Sequence, residues 1–270
     1  MGLIRRNDIS GGVPKPPREK TGFMKYATIY FNHFWKLMAL NFIYLLFCIP
    51  VVTIGPATAA ITKVCRNYSQ ERHAYVFGDF WDSFKKNFKQ GIVFGLLDLM
   101  FLAIFAVGIP FYREWAQKMP IMYVPMMISL VFMLIVVMMN FYAYLMVSST
   151  NLTIKQIIKN SFILSYLGFK KTLICLVVYV LFMSINILFF PVSIVFAATL
   201  SFSFIAFLDA GLCYPLVRKY IIQPYYDQRG EENPEDALLD TDADRLFKDM
   251  PEYETPEQKK AKKAKKKTVK

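Results

Sequence analysis

Long apolar runs alternate along the chain with short segments rich in lysine and arginine. A transmembrane helix needs about 20 apolar residues to cross a hydrocarbon core of about 30 Å. Runs of that kind are expected to span the membrane at 29–52, 91–112, 121–147, 172–190 and 193–216. The pattern therefore predicts an all-α, polytopic helical membrane protein with five full transmembrane helices.

Two shorter segments between these runs have one apolar face and one basic face. In the first, Phe80, Phe84 and Phe88 fall on one side of a helix and a set of lysines on the other. In the second, Thr153 and Gln156 have the spacing of a capping box at a helix start. Both segments predict interfacial amphipathic helices.

The stretch after the first span, PVVTIGPATAAITKVCR, is too apolar for an ordinary exposed loop. Pro50 and Pro56 lack a backbone donor, and Gly55 tolerates positive φ, so a sharp reversal centred on Gly55 and Pro56 is expected. The apolar residues that follow predict a short return or re-entrant segment near 51–66.

Basic residues indicate how the chain is oriented. Lysine and arginine cluster up to residue 36, at 63–89, at 155–171 and after 216. The positive-inside rule places these clusters in the cytoplasm. Five crossings alone would put the two termini on opposite sides, whereas a sixth passage through 51–66 puts both in the cytoplasm. A five-span chain with an external N-terminus is the alternative.

The amino-acid composition supports a membrane protein and indicates three regions along the chain. Apolar residues make up 55% of it, above the roughly 45–50% of soluble domains. We expect a flexible cytoplasmic arm at 1–22, a membrane domain at 23–220 and a disordered tail at 221–270, first acidic and then rich in lysine. The lysines of 259–267 are expected to bind anionic lipid head groups. Nucleic acid is not expected as a partner, since no aromatic residues interleave with them.

Four polar residues lie inside the predicted spans, each in the cytoplasmic half: Asn41, Asp98, Asn140 and Asp209. Gly91 and Gly95 form a GxxxG pattern on the face that carries Asp98, so Asp98 should point into the helix bundle. Two interpretations remain open. The aspartates are either structural partners of Lys63, Arg66 or Arg218, or part of a pocket for a polar ligand or ion.

Signatures of enzymes are not found in the sequence. It has no HExxH, GxSxG or Walker A motif, and its four cysteines lack metal-ligand spacing. We therefore expect no catalytic residues, no cofactor and no metal, and interpret the cysteines as reduced packing residues.

Three motifs resemble the YesL-like family of bacterial membrane proteins, a domain of unknown function. They are the segment from Pro50 to Ala60, the segment from Asp79 to Gln90, and Lys159 to Phe162. The resemblance covers roughly residues 20 to 220 and implies a multi-pass protein of the bacterial plasma membrane, often encoded beside systems for oligosaccharide uptake. It implies no catalytic residues.

On these grounds we expect a non-enzymatic accessory or regulatory protein associated with carbohydrate uptake. Its partner would be a transporter subunit or another membrane protein, bound at the cytoplasmic face. The alternative is a transporter that moves a small polar solute through the four polar positions.

Overall fold

The computed structural model describes residues 23–231 and 233, which contain helices and no strand. The helices are α1 (Phe23–Asn32), α2 (Phe34–Cys48), α3 (Ile54–Ser69), α4 (Val76–Lys86), α5 (Phe88–Lys118), α6 (Tyr123–Ser149), α7 (Ile154–Leu167), α8 (Phe169–Leu188), α9 (Ser193–Phe196), α10 (Phe202–Val217) and α11 (Gln223–Arg229). Short 3₁₀ turns lie at Val51–Thr53 and Pro120–Met122, and π-helical turns at Ala197–Ser201 and Arg218–Ile222. The predicted all-α class is confirmed.

Four helical stretches within the described residues are long and apolar enough to cross a membrane: Phe88–Lys118, Pro120–Ser149, Phe169–Leu188 and Ser193–Arg229. The first predicted span, 29–52, covers the end of α1 and all of α2, and the 15 residues of α2 extend about 22 Å. Helix α2 is therefore shorter than a bilayer core of about 30 Å. The protein is a polytopic, membrane-embedded helical protein, as predicted.

The return helix α3 is the most enclosed element of the membrane domain. It packs against α1, α2, α4, α5, α6 and α10, and 12 of its 16 residues are buried. Ala57, Ala59 and Ala60 are fully buried. Small side chains let neighbouring helix backbones approach closely, which explains how one short helix can contact six others.

The position of the reversal differs from the prediction. Pro50 is extended and the chain turns through the 3₁₀ segment that follows it, where the Thr53 hydroxyl donates to the Phe47 and Pro50 carbonyls. Gly55 and Pro56 lie in the first turn of α3 rather than at the centre of the turn. Proline is tolerated there because the first helical N–H groups have no intrahelical acceptor.

Gly55 does not use positive φ; among the described glycines only Gly230 does. The glycine is needed for space instead, because the α3 backbone contacts the α5 backbone at this point.

The two predicted amphipathic helices correspond to α4 and α7. Helix α4 begins before Asp79, whose carboxylate accepts the Tyr75 N–H at 3.0 Å from within the first turn. In α7 the capping box forms as predicted, and the Thr153 N–H donates to Gln156 Oε1 at 3.0 Å. Local side-chain-to-backbone bonds thus define both starting points.

The described residues divide into two compact units, one up to residue 218 and one from residue 219. In the second unit, helix α11 ends at Gly230, which has a left-handed φ of 64°. Residues 223–229 are therefore helical, although the disordered tail was predicted from residue 221. The arm at 1–22 and the lysines of 259–267 lie outside the described residues.

Candidate intramembrane site

Asp98 is held by two donors from the neighbouring helix α6. Asn140 Nδ2 donates to Asp98 Oδ1 at 2.7 Å, and the Tyr144 hydroxyl donates to Asp98 Oδ2 at 2.5 Å. Asn140 and Tyr144 are four residues apart, so one face of α6 presents both groups. Each carboxylate oxygen therefore has one hydrogen bond, and an ionised carboxylate has further acceptor sites.

The close contact of α3 with α5 explains why Asp98 faces the bundle. A Cβ added to Gly91 would lie 2.6 Å from the Pro56 Cα, and one added to Gly95 would lie 2.9 Å from the Gly55 Cα. Asp98 lies about two turns of α5 after Gly91 and one turn after Gly95, on the same side of the helix. The predicted GxxxG face is the contact surface, and it directs Asp98 toward α6.

A cavity of about 370 Å³ lies beside this group. Its walls are mostly apolar and aromatic, with Phe101, Phe105 and Met133 among the lining residues. The polar lining residues are Tyr44, Thr58, Thr62, Asp98, Asn140, Tyr144, Tyr179 and Asp209. The size is within the range of small-molecule sites, which are concave and mostly apolar with a few polar groups.

Three of the four predicted polar residues thus line one cavity, and the fourth does not. Asn41 is fully buried at another place, where its Nδ2 donates to the carbonyls of Ala197 (2.9 Å) and Ala198 (2.5 Å). Its Oδ1 accepts the Ser203 N–H at 2.9 Å. A π-helical turn leaves some backbone carbonyl and N–H groups without their usual helical hydrogen bonds. Asn41 supplies these bonds, so it stabilises the turn at Ala197–Ser201 and does not face a ligand.

Lys63 and Arg66 are the residues named above as candidate charge partners of the aspartates. Over the part of the chain that the structure describes, no salt bridge joins Asp98 or Asp209 to Lys63 or Arg66. The Arg66 guanidinium lies over the Tyr214 ring, 5.0 Å from its centroid.

Asp209 is buried, with 6% of its surface exposed. Its Oδ1 has no hydrogen-bond partner among the described residues. The group lies beside Cys213, one turn further along α10, and Cys175 of α8. All four cysteines are free thiols.

Sequence reasoning missed Tyr144, although its spacing from Asn140 is a signal that could have found it. It also missed the proximity of Cys175 to Cys213. These cysteines are 38 residues apart on different helices, so their contact depends on how α8 packs against α10, and no local pattern indicates it.

The helices and the buried acidic site together define a polytopic membrane protein with an intramembrane cavity. Residues 28–109 match the family model described as "Protein of unknown function, DUF624". The matched part contains α2, α3 and Asp98, and ends before α6 and α10. No curated protein and no solved structure matches the chain.

Proposed function

We propose that this chain is a YesL-like protein of the bacterial plasma membrane that binds a small amphipathic solute beside Asp98 and carries it across the bilayer. The supporting observation is the cavity itself. It combines apolar walls with a carboxylate that has two neutral hydrogen-bond donors and no cation partner among the described residues.

The chemistry of the walls defines the solute class. A charged carboxylate in the middle of a membrane helix costs about 2.5 to 3.5 kcal/mol on insertion scales. A bound ammonium group would offset part of this cost by pairing with Asp98, and an apolar body would fill the space near Phe101 and Phe105. A carbohydrate is a poorer fit, because many of its hydroxyl groups would face apolar walls and lose hydrogen bonds.

A pair of probes of equal chain length tests this proposal. The full chain, purified in detergent, is heated with hexylamine or with hexanol, and its unfolding temperature is recorded. We expect hexylamine to raise that temperature more than hexanol, because only the amine can pair with Asp98. Asp98→Asn should abolish the difference, and Asp82→Asn, at an exposed position of α4, should keep it. Equal effects of the two probes on the unaltered protein would overturn the proposal.

Transport itself needs a separate measurement. Proteoliposomes containing the full chain should equilibrate with radiolabelled hexyltrimethylammonium, a permanent cation that has no neutral form, faster than empty liposomes or liposomes with Asp98→Asn. Binding without uptake would reduce the proposal to a membrane receptor.

An accessory or regulatory role in carbohydrate uptake stays a prediction that comes from the family resemblance. Its test is purification from native membranes under mild conditions. A stoichiometric transporter subunit would support the accessory role, and purification without one would favour the solute-binding role proposed above.

The proposal also includes the non-enzymatic nature of the chain and the cytoplasmic location of both termini. Adhesion of the lysines of 259–267 to anionic lipid stays part of it. A peptide of residues 257–270 should bind vesicles of anionic lipid at low salt and dissociate as salt is raised. Equal binding to neutral vesicles would contradict this.

A further inference from the structure

Two cysteines and an aspartate meet between α8 and α10. Cys175 comes from α8, and Asp209 and Cys213 lie one turn apart on α10. The two Sγ atoms and a carboxylate oxygen all lie within 4.8 Å of one another. At most 6% of each residue is exposed, so the three groups form one enclosed cluster.

The spacing of these atoms fits a tetrahedral metal ion. The two Sγ atoms are 3.9 Å apart. Two thiolates bonded to zinc at about 2.3 Å each in a tetrahedron are about 3.8 Å apart, so the sulfurs already have this spacing. A disulfide would need them at about 2.05 Å, well below the spacing observed.

The aspartate gives an independent reason to expect a ligand. Buried polar atoms in folded proteins nearly always have partners, and leaving one unpaired costs about 1 to 3 kcal/mol, more for a charged group. Asp209 Oδ1 has none among the described residues. A bound cation would satisfy this carboxylate, and both sulfurs are placed to share the same ion.

We infer that Cys175, Asp209 and Cys213 form a buried site for a zinc ion. Thiolate sulfur favours zinc over magnesium or calcium, and the mixed sulfur and oxygen set suits zinc better than copper(I). Binding as the dithiolate releases the two thiol protons to solvent. Since Asp209 also lines the cavity, water from the cavity supplies the fourth ligand.

This site goes beyond the proposed function and revises the expectation that the cysteines only pack. Zinc would tie α8 to α10 at the wall of the cavity. Its loss should therefore loosen the cavity wall as well as lower stability.

Cobalt(II) is the probe for this site, because it replaces zinc and its thiolate complexes absorb light. The full chain is purified in detergent under reducing, chelator-free conditions and titrated with Co²⁺. We expect one equivalent to bind with a sulfur-to-cobalt charge-transfer band, and Zn²⁺ to remove the band. Cys175→Ser and Cys213→Ser should each abolish it.

Two further variants complete the experiment. Asp209→Asn should weaken Co²⁺ binding by more than the roughly 10- to 100-fold that losing an outer-shell partner costs. Cys48→Ser, on α2 and outside the cluster, should bind as the unaltered chain does. The inference is overturned if the unaltered chain gives no charge-transfer band, if the band persists in Cys213→Ser, or if Cys175 and Cys213 are isolated as a disulfide. The hexylamine experiment with Asp98→Asn does not depend on metal binding. The solute-binding proposal and the zinc-site inference can therefore each fail without the other.

Discussion

Gly55 of α3 and Gly91 of α5 lie in direct backbone contact. A Cβ added to Gly55 would overlap the carbonyl oxygen of Gly91. The neighbouring Gly95 is also in close contact, since a Cβ there would lie 2.9 Å from the Gly55 nitrogen. No side chain separates the two helices here, so any added carbon must push the backbones apart.

Replacing Gly55 with alanine should therefore destabilise the membrane domain. Overpacking of a tight contact costs about 1 to 3 kcal/mol, and the cost here should reach the upper end because the obstacle is backbone. The measurement is the unfolding temperature in detergent together with protein abundance in the membrane. Gly108→Ala is the matched control in α5, where an added Cβ meets nothing within 4 Å. Gly108→Ala should leave stability unchanged or raise it by about 0.5 to 1 kcal/mol. Equal loss in both variants would refute the close-contact explanation.

Asn41 should matter through the π-helical turn rather than through a solute. Asn41→Leu removes the donor for the Ala197 and Ala198 carbonyls and the acceptor for the Ser203 N–H. Leaving such buried groups unpaired costs about 1 to 3 kcal/mol. We expect a lower unfolding temperature but an unchanged preference for hexylamine in the protein that remains folded.

Asn151→Leu, at an exposed position between α6 and α7, is the control for this change. It should unfold like the unaltered chain. If Asn41→Leu instead kept full stability and lost the amine preference, Asn41 would belong to the solute site.

Tyr144 and Asp98 should be energetically coupled. Tyr144→Phe removes one of the two hydrogen bonds to the carboxylate and should lower stability by about 1.5 to 3 kcal/mol, because the acceptor is charged. In the Asp98→Asn background the same change should cost less, since a neutral amide forms a weaker bond with the hydroxyl. A double-mutant cycle on unfolding free energies measures the difference, expected at 0.5 to 3 kcal/mol. Additive effects would show that the bond contributes nothing to stability.

Labelling of engineered cysteines tests the orientation of the chain. Gln117→Cys lies at the exposed C-terminal end of α5 and should react with a membrane-impermeant maleimide in intact cells. Ser10→Cys should react only after the membrane is opened, as expected for a cytoplasmic N-terminus under the positive-inside rule. A strong external signal at residue 10 would support the five-span alternative.

Much of the fold follows from local patterns that the sequence displays. The spans that become α5, α6 and α8 are continuous apolar runs, and the capping box at Thr153 begins α7 where predicted. The sequence pattern predicts the reversal a few residues too late, because Gly55 also suits a tight turn. Only its contact with Gly91 shows that it is needed for helix packing.

The candidate site could be predicted only in part, because contacts between helices are not visible in local sequence patterns. Asp98 and Asn140 were expected in one half of the membrane, and they form a hydrogen bond. Asn41 is predicted in the same half, yet it points to the π-helical turn, because depth along a helix does not fix rotation about its axis. The proximity of Cys175 to Cys213 is likewise a property of two packed helices.

The sequence by itself determined the class of this protein, because membrane insertion depends on the length and apolarity of each run, and both are local quantities. Tertiary structure alone decided which polar side chains share a cavity, which one completes a helix and which thiols meet. These outcomes depend on how helices far apart in the chain rotate and approach, and the approach at Gly55 and Gly91 is set by sterics between elements.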